Sequence, residues 1–155
     1  MITQQELLDR FEYCDGNLYL KSSNPRRKVG SPSDRGYIQT TIKGKNFKNH
    51  RLIFMMHYGR LPERIDHING NVSDNRIENL REATQTENMC NRKVSKTNKS
   101  GVKNVSWNNH AQSWRIDLQV SGKAYCFGYF KDLEAAELVA HLAREKYHGN
   151  FARHI

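Results

Sequence analysis

The stretch 65–92, IDHINGNVSDNRIENLREATQTENMCNR, constrains the fold of this chain more than any other. It opens with adjacent Asp66 and His67, passes through a loop rich in Gly, Asn and Asp, and reaches a short strand candidate in ENLREAT. Such loop residues tolerate unusual backbone angles and hydrogen-bond their own main chain. Neighbours on a regular strand point to opposite faces, so Asp66 and His67 can serve one site only if the strand ends or twists there.

A helix is predicted to follow this second strand. Thr84 and, three residues later, Glu87 form a capping box, which places the helix start near Gln85. Asn88 then falls in the opening turns of the helix. Strand, loop, strand and helix are expected to bring the Asp-His pair and Asn88 within reach of one another.

These three residue types suit the hydrolysis of a phosphodiester. A carboxylate and an amide oxygen are hard ligands for Mg²⁺ or Mn²⁺, and a neutral imidazole can take a proton from an attacking water. One divalent ion can stabilise the charge on the phosphate and its leaving oxygen. An Asp-His pair beside a polar loop is by itself typical of ordinary protein surfaces; the three-part spacing and the capped helix favour catalysis.

The phrases DHINGN, NRIENL and TENMCNR resemble the HNH nuclease motif in its phage and intron-encoded homing endonuclease form. With the lead-in NHRLIFMMHYG, the resemblance covers residues 49–92 and implies a ββα-metal (His-Me finger) fold with one divalent ion, Mg²⁺ or Mn²⁺, per site. It implies that Asp66 and Asn88 are metal ligands, Asn88 standing where many relatives have His. It also implies that His67 is the general base and that Asn79 is the motif's middle asparagine, which pins the loop.

Whether His50 joins this site stays open. The alternative, which we prefer on the sequence alone, is a structural histidine that pairs with backbone. Asn69, Asn71 and Asn75 are interpreted as turn formers and not as ligands.

Composition points to small, basic modules. The 155 residues suffice for one ordinary domain or two small ones, and a hydrophobic content of 37% fits the second option better. Twenty-five Lys and Arg against sixteen Asp and Glu give a net charge of +9, which favours a polyanionic partner. Charge alone is equally consistent with a basic protein that binds no nucleic acid.

The three cysteines, Cys14, Cys90 and Cys126, are far apart and form no CxxC pair, which argues against a disulfide framework or a structural zinc site. The first residues do not resemble a signal peptide, and no apolar run approaches the roughly 20 residues that span a bilayer. We therefore expect no membrane partner and a reducing cytoplasm, that of a bacterial host if the gene belongs to a phage.

The N-terminal part contains a predicted helix within residues 2–12 and an Asp-Gly turn at 15–16. Residues 22–36 are predicted to be a polar loop. GYIQTTI and NFKNHRL are predicted strands joined by a hairpin turn, and LIFMMHYG is a predicted buried helix. The hairpin lysines are predicted DNA contacts, although exposed edge lysines also discourage aggregation: Lys43, Lys45 and Lys48.

Composition changes after residue 92. Residues 93–100 are predicted to be a basic linker, and residues 101–155 a second module. VKNVSW, SWRIDLQV and AYCFGYF predict three antiparallel strands, and a helix capped by Asp132 and ended by Gly149 is expected to pack on them. The predicted class is α+β: a ββα-metal nuclease module over 1–92, followed by a three-stranded sheet on one helix.

The segment 99–152, with its GV…W, FGYF and Ala-rich helix, resembles the Apetala-type DNA-binding domain of plant ethylene-response factors. The resemblance implies contact with double-stranded DNA through the sheet. Trp107 is consistent with a contact or with a core position, and Val105, Ala124 and Cys126 depart from the family pattern. The predicted DNA-binding residues of this module are Lys103, Trp107, Arg115, Asp117, Gln119 and Lys123.

Together these patterns predict a metal-dependent DNA endonuclease of the homing type, a monomer or weak dimer that nicks one strand per site. The alternative from another class is a non-catalytic, sequence-specific DNA-binding regulator derived from such a nuclease. An RNA-binding protein finds little support, since the chain has no RNP-type strand pair or KH-type GxxG loop.

Overall fold

The computed structural model describes residues 2–95 and 97–154. Lys96 of the predicted linker 93–100, and the end residues Met1 and Ile155 of the two predicted modules, lie outside the described residues. The described chain is a mixture of four helices and small antiparallel sheets in two compact units, 1–83 and 84–155. This division precedes the helix that begins at Gln85, whereas the predicted functional division falls at residue 92 and stays a prediction.

The described part of the first unit contains two helices and eight strands. They form three antiparallel sheets, with strand orders β1-β2-β3, β4-β5-β6 and β7-β8. The elements in chain order are α1 (Gln4–Arg10), β1 (Phe11–Cys14), β2 (Asn17–Leu20), β3 (Arg27–Val29), β4 (Ser31–Pro32), β5 (Ile38–Ile42), β6 (Lys45–Lys48), α2 (Asn49–Tyr58), β7 (Arg64–His67) and β8 (Leu80–Ala83).

Local signals account for the start of this unit. Thr3 and Glu6 form the capping box of α1, with the Thr3 side chain accepting from the Glu6 amide. Asp15 and Gly16 both take positive φ angles, 44° and 76°, and join β1 to β2 in a tight turn. The capped helix and the turn are therefore confirmed, with the helix ending at Arg10.

Two predictions for the middle of the unit are wrong in extent. The strand predicted over NFKNHRL stops at Lys48, and α2 begins at Asn49. The helix buries Leu52, Ile53 and Phe54 in the core, as predicted for LIFMMHYG, but it begins three residues earlier than that segment. The segment 22–36, predicted to be a loop, contains the short strands β3 and β4.

The second unit is a three-stranded sheet packed on one helix, as predicted. Its order is β11-β10-β9, and the buried residues Ile116 and Leu118 of β10 pack on α4. The elements are α3 (Gln85–Cys90), β9 (Val105–Asn108), β10 (Ser113–Val120), β11 (Lys123–Phe130) and α4 (Leu133–His148), followed by a 3₁₀ turn (Gly149–Phe151).

Small side chains let α4 approach the sheet closely. Ala136, Ala140 and Ala143 are buried in its contact face. Tyr147, near the end of α4, is 44% exposed, and its ring contacts Phe127 at a centroid distance of 5.3 Å. The buried face of α4 therefore narrows toward the end of the helix.

None of the helices in the part of the chain that the structure describes combines the length and the apolar character that crossing a bilayer requires.

Candidate active site

Asp66 and His67 are the last two residues of β7, where they pair with Arg81 and Leu80 of β8. Both are almost fully buried, with 5% and 4% of their surface exposed. The strand ends at His67, whose carbonyl accepts a bond from the Gly70 amide at 2.8 Å. The first strand, the loop and the second strand of the predicted motif are therefore present.

The His67 ring is oriented by Asn75. His67 Nε2 lies 3.0 Å from Asn75 Oδ1 in a buried contact. Because an amide oxygen only accepts, Nε2 carries the hydrogen and donates it, and the lone pair of the neutral ring resides on Nδ1. This tautomer follows from the assigned orientation of the Asn75 amide.

The surroundings of His67 favour its neutral form. Burial is the main cause that lowers its pKa below the ordinary value, with a smaller contribution from the Lys48 charge. The bond to Asn75 and the Asp66 and Asp74 carboxylates act in the opposite direction. With the pKa lowered, the ring is uncharged at neutral pH and is able to accept a proton.

His50 packs against His67. The two rings meet edge to face with centroids 5.0 Å apart, and Tyr37 lies 5.4 Å from His50 and 6.1 Å from His67. Burial, with the nearby charges of His67, Lys48 and Arg51, lowers the pKa of His50 to about 3. Its Nδ1 is buried and has no hydrogen-bond partner among the described residues, so the preferred interpretation of a backbone-paired histidine is not met at that atom.

Asp66 is held by Arg81, its cross-strand neighbour. Arg81 Nε and Nη2 donate to Asp66 Oδ2 at 2.9 and 2.7 Å. The buried carboxylate of Asp66 requires such a partner, because an unpaired charge in the interior is costly. Its oxygens have the donor chemistry that Mg²⁺ and Mn²⁺ prefer, although a cation there competes with the guanidinium. Asn88 lies half-buried on α3 in the second unit, and its sharing of a cation with Asp66 stays a prediction.

Asn79 ties the loop between β7 and β8 together. Its side chain donates to Asn69 Oδ1 at 3.1 Å and to the Asp74 carbonyl at 2.8 Å, and it accepts from the Asn69 amide at 3.0 Å. Asp74 in turn binds Arg76 at 2.8 Å, and that guanidinium holds the pKa of the Asp74 carboxyl well below its usual range. These bonds match the role that the HNH resemblance implies for Asn79, while its part in catalysis stays a prediction.

The N-terminal hairpin supports the same loop. Tyr13 Oη accepts from the Ile77 amide at 3.0 Å. A Cβ on Gly16 would lie 2.8 Å from the Arg76 amide nitrogen and 3.1 Å from the Asn75 carbonyl carbon, so only glycine fits this approach. Sequence reasoning missed this support, because sixty residues separate the two segments and no local pattern links them.

The hairpin lysines of the first unit differ in their surroundings. Lys43 binds Glu6 at 3.0 Å on the surface, and Lys45 is exposed. Lys48 Nζ lies 4.1 Å from the centroid of the Tyr37 ring, which in turn contacts the rings of both buried histidines. Their contact with DNA stays a prediction.

Four of the predicted DNA-binding residues of the second unit lie on the strands β9 and β10. Arg115 and Asp117 on β10 form an ion pair at 2.8 Å, and Gln119 of the same strand is exposed. Trp107 is 43% exposed and meets Trp114 edge to face, so it lies at the border of the core.

Lys123 and Lys103 complete the predicted set. Lys123 is exposed at the start of β11, where a phosphate can reach it. Lys103 is half-buried, and its ammonium donates to the Cys90 carbonyl, a local bond that the sequence did not predict.

A second group of possible metal ligands lies near the end of α4. Each of three residues offers one possible ligand atom, and these atoms lie within 4.8 Å of one another: His141, Glu145 and His154. The two imidazoles are stacked, with centroids 3.7 Å apart, and Arg144 Nε donates to His154 Nδ1 at 3.3 Å. Parallel rings cannot both aim a lone pair at one ion, and the guanidinium already uses one, so this arrangement disfavours a metal.

Comparison with known proteins gives a match over the site. Residues 47–90 match the HNH endonuclease family. The chain is 38% identical to Protein 3.8 of Escherichia phage T7 over 91 residues, which is 57% of this chain and 73% of that relative. No solved structure is significantly similar to the chain. These matches include no Apetala-type domain, so that resemblance stays a prediction.

Proposed function

We propose that this chain, which belongs to the same family as Protein 3.8 of Escherichia phage T7 and carries an HNH endonuclease domain at residues 47–90, is a metal-dependent DNA endonuclease. The observation that carries the proposal is the buried His67, neutral at pH 7 and fixed by Asn75, beside the buried carboxylate of Asp66. Burying both groups costs stability, and such an arrangement is typical of a catalytic site.

In the proposed reaction His67 is the general base. A water bound beside its ring loses a proton to the imidazole while the oxygen attacks the scissile phosphorus, and the bond from phosphorus to the leaving oxygen breaks. Asn75 holds the ring in one tautomer, and Asn79 fixes the loop that carries Asn75. Asp66 and Asn88 would hold Mg²⁺ or Mn²⁺, which when bound offsets the negative charge on the phosphate and the leaving oxygen.

The finer parts of the proposal concern architecture and biological setting. We assign β7, β8 and α3 to the ββα-metal motif, with one divalent ion per site. A single site cuts one strand, so a monomer is expected to nick. The homing type and an origin in a phage, with action in the cytoplasm of a bacterial host, complete the proposal.

Double-stranded DNA is the proposed partner of the second unit. The face of β10 that points away from α4 carries Arg115, Asp117 and Gln119, side chains that reach base edges or phosphates when a small sheet enters the major groove. Lys123 adds positive charge beside that face. The charge-rich open face, opposite an apolar face covered by α4, supports this assignment.

The test is cleavage of supercoiled plasmid by the full chain. Nicked circles are expected with Mg²⁺ or Mn²⁺ and none with EDTA. Asp66→Asn, purified in the same way, controls for contaminating nucleases and is expected to be inactive. Binding without cleavage under every metal condition would instead support the alternative, a non-catalytic regulator.

A further inference from the structure

The helix α3 is short, lies at the surface of the second unit and contacts the 3₁₀ turn Gly149–Phe151. It has six residues, all of which the structure describes, and none of them is buried. Helices of this length are unstable without packing partners. Grooves of about 310 and 160 Å³ border the helix within the second unit, lined in part by Thr86 and Cys90. Its capping box, Thr84 with Glu87, stabilises only the N-terminal end.

The C-terminal end is held by Lys103. The ammonium of Lys103 donates to the Cys90 carbonyl, the last residue of α3. The carbonyls at a helix C-terminus lack intrahelical partners and attract a cation, so this bond satisfies one of them.

Lys103 is in turn fixed to the core of the second unit. Arg144 of α4 is 1% exposed, and its Nη1 donates to the Lys103 carbonyl at 2.6 Å. Partial burial, followed by the charge of Arg144, lowers the pKa of Lys103 to about 8, so most of the ammonium remains charged at pH 7. A continuous polar path therefore runs from α4 through Lys103 to the end of α3.

We propose that Lys103 is a positioning residue that fixes α3, and with it Asn88, for metal binding. Asn88 lies two residues before Cys90 in the same short helix, so a rotation or fraying of α3 moves its amide. The inference rests on the proposed function, in which Asn88 is a metal ligand. It assigns to Lys103 an inward role in place of the DNA contact that the Apetala-type resemblance implies.

The experiment compares Lys103→Met with wild type in the full chain. The Mg²⁺ concentration for half-maximal nicking of plasmid is expected to rise about tenfold in Lys103→Met. The DNA dissociation constant in EDTA is expected to stay within about twofold of wild type. Lys103→Arg, which keeps a charged donor, is expected to restore most of the metal affinity.

Lys131→Met is the matched control. Lys131 also donates to main-chain carbonyls, those of Ala111 and Gln112, but these belong to the turn between β9 and β10 and not to α3. This variant is expected to show the wild-type metal dependence, which separates the loss of a lysine–carbonyl bond in general from the loss at α3.

Hydrogen exchange of the peptide 84–92 gives a readout that does not depend on cleavage. Exchange is expected to accelerate about tenfold in Lys103→Met and not in Lys131→Met. An unchanged metal requirement in Lys103→Met, unchanged exchange, or a weaker DNA affinity with wild-type metal dependence would overturn the role of Lys103. A wild-type protein that fails to nick at all would overturn the proposed function instead, and the exchange data would still decide whether Lys103 holds α3.

Discussion

The sheet β7–β8 and the sheet β9–β11 differ in where their ionisable residues lie. The first buries a carboxylate and an imidazole, Asp66 and His67, and satisfies them with Arg81 and Asn75. The second buries apolar residues against α4 and leaves its ionic pair, Arg115 with Asp117, on the open face. Buried ionisable groups reduce stability unless they are paired, whereas exposed ones cost little. This difference is the basis on which we propose catalysis at the first sheet and DNA binding at the second.

The largest effect is expected from His67→Ala. Loss of the general base should reduce plasmid nicking about a thousandfold, while the DNA dissociation constant measured in EDTA changes by less than about twofold. Equal losses of cleavage and DNA binding would show that His67 also contributes to DNA binding. The proposed division, with catalysis at the first sheet and DNA binding at the second, would then be wrong.

Lowering the pH should destabilise the first unit of the wild type more than that of the His50→Gln variant. The pKa of His50 is lowered to about 3 in the folded state, so below pH ~6.5 the unfolded chain binds an additional proton. Stability is therefore lost as the pH falls from about 6.5 toward 3, by about 1.4 kcal/mol per pH unit for this group. Between pH 6.5 and pH 4 the wild type should lose about 3 kcal/mol more than the variant.

Urea unfolding followed by circular dichroism at a series of pH values measures this difference. His110→Gln replaces an exposed histidine and is the control, with the same pH dependence as wild type. Parallel curves for wild type and His50→Gln would show that burial of His50 has no such cost.

Gly16→Ala should destabilise by about 2–3 kcal/mol, since it combines a left-handed backbone angle with a clash against the main chain at Asn75 and Arg76. Gly44→Ala is the matched control, because Gly44 has a similar φ of +74° and nothing within 4 Å of the added Cβ. Its cost should be about 1 kcal/mol. Equal losses of unfolding free energy in the two variants, measured by thermal or urea unfolding, would mean that the close approach of the hairpin to the loop does not limit the side chain at residue 16.

The smallest effect is expected from Arg115→Ala on the second sheet. DNA affinity should fall about tenfold, and the slope of log K against log salt should decrease by about 0.9, as for the loss of one phosphate contact. Lys146→Ala, on the helix that covers the opposite face, should leave both values near wild type. An unchanged salt slope in Arg115→Ala would argue that Arg115 contacts no phosphate.

Signals local in sequence predicted the elements well. The two capping boxes, Thr3 with Glu6 and Thr84 with Glu87, mark the starts of α1 and α3. The start of α2 was misplaced, because its first residues continue from a strand without a side-chain cap.

Contacts that depend on strand register were not predicted. The pairing of Asp66 with Arg81 follows from the alignment of β7 with β8, which no local pattern specifies. Asn75 was interpreted as a turn former, yet its amide orients His67 across eight residues. The residues of the candidate site could therefore be proposed from the sequence, while their hydrogen-bond partners Arg81 and Asn75 could not.

The approach of Gly16 and Tyr13 to the loop has a consequence for engineering. Residues 47–90 carry the family signature, yet two of the supports of their loop come from a hairpin some sixty residues upstream. Grafting the signature alone into another scaffold would transfer the reactive side chains without the hairpin contacts that support their loop. A functional transplant has to begin at the first helix, and chimaeras between relatives should exchange the hairpin and the loop together.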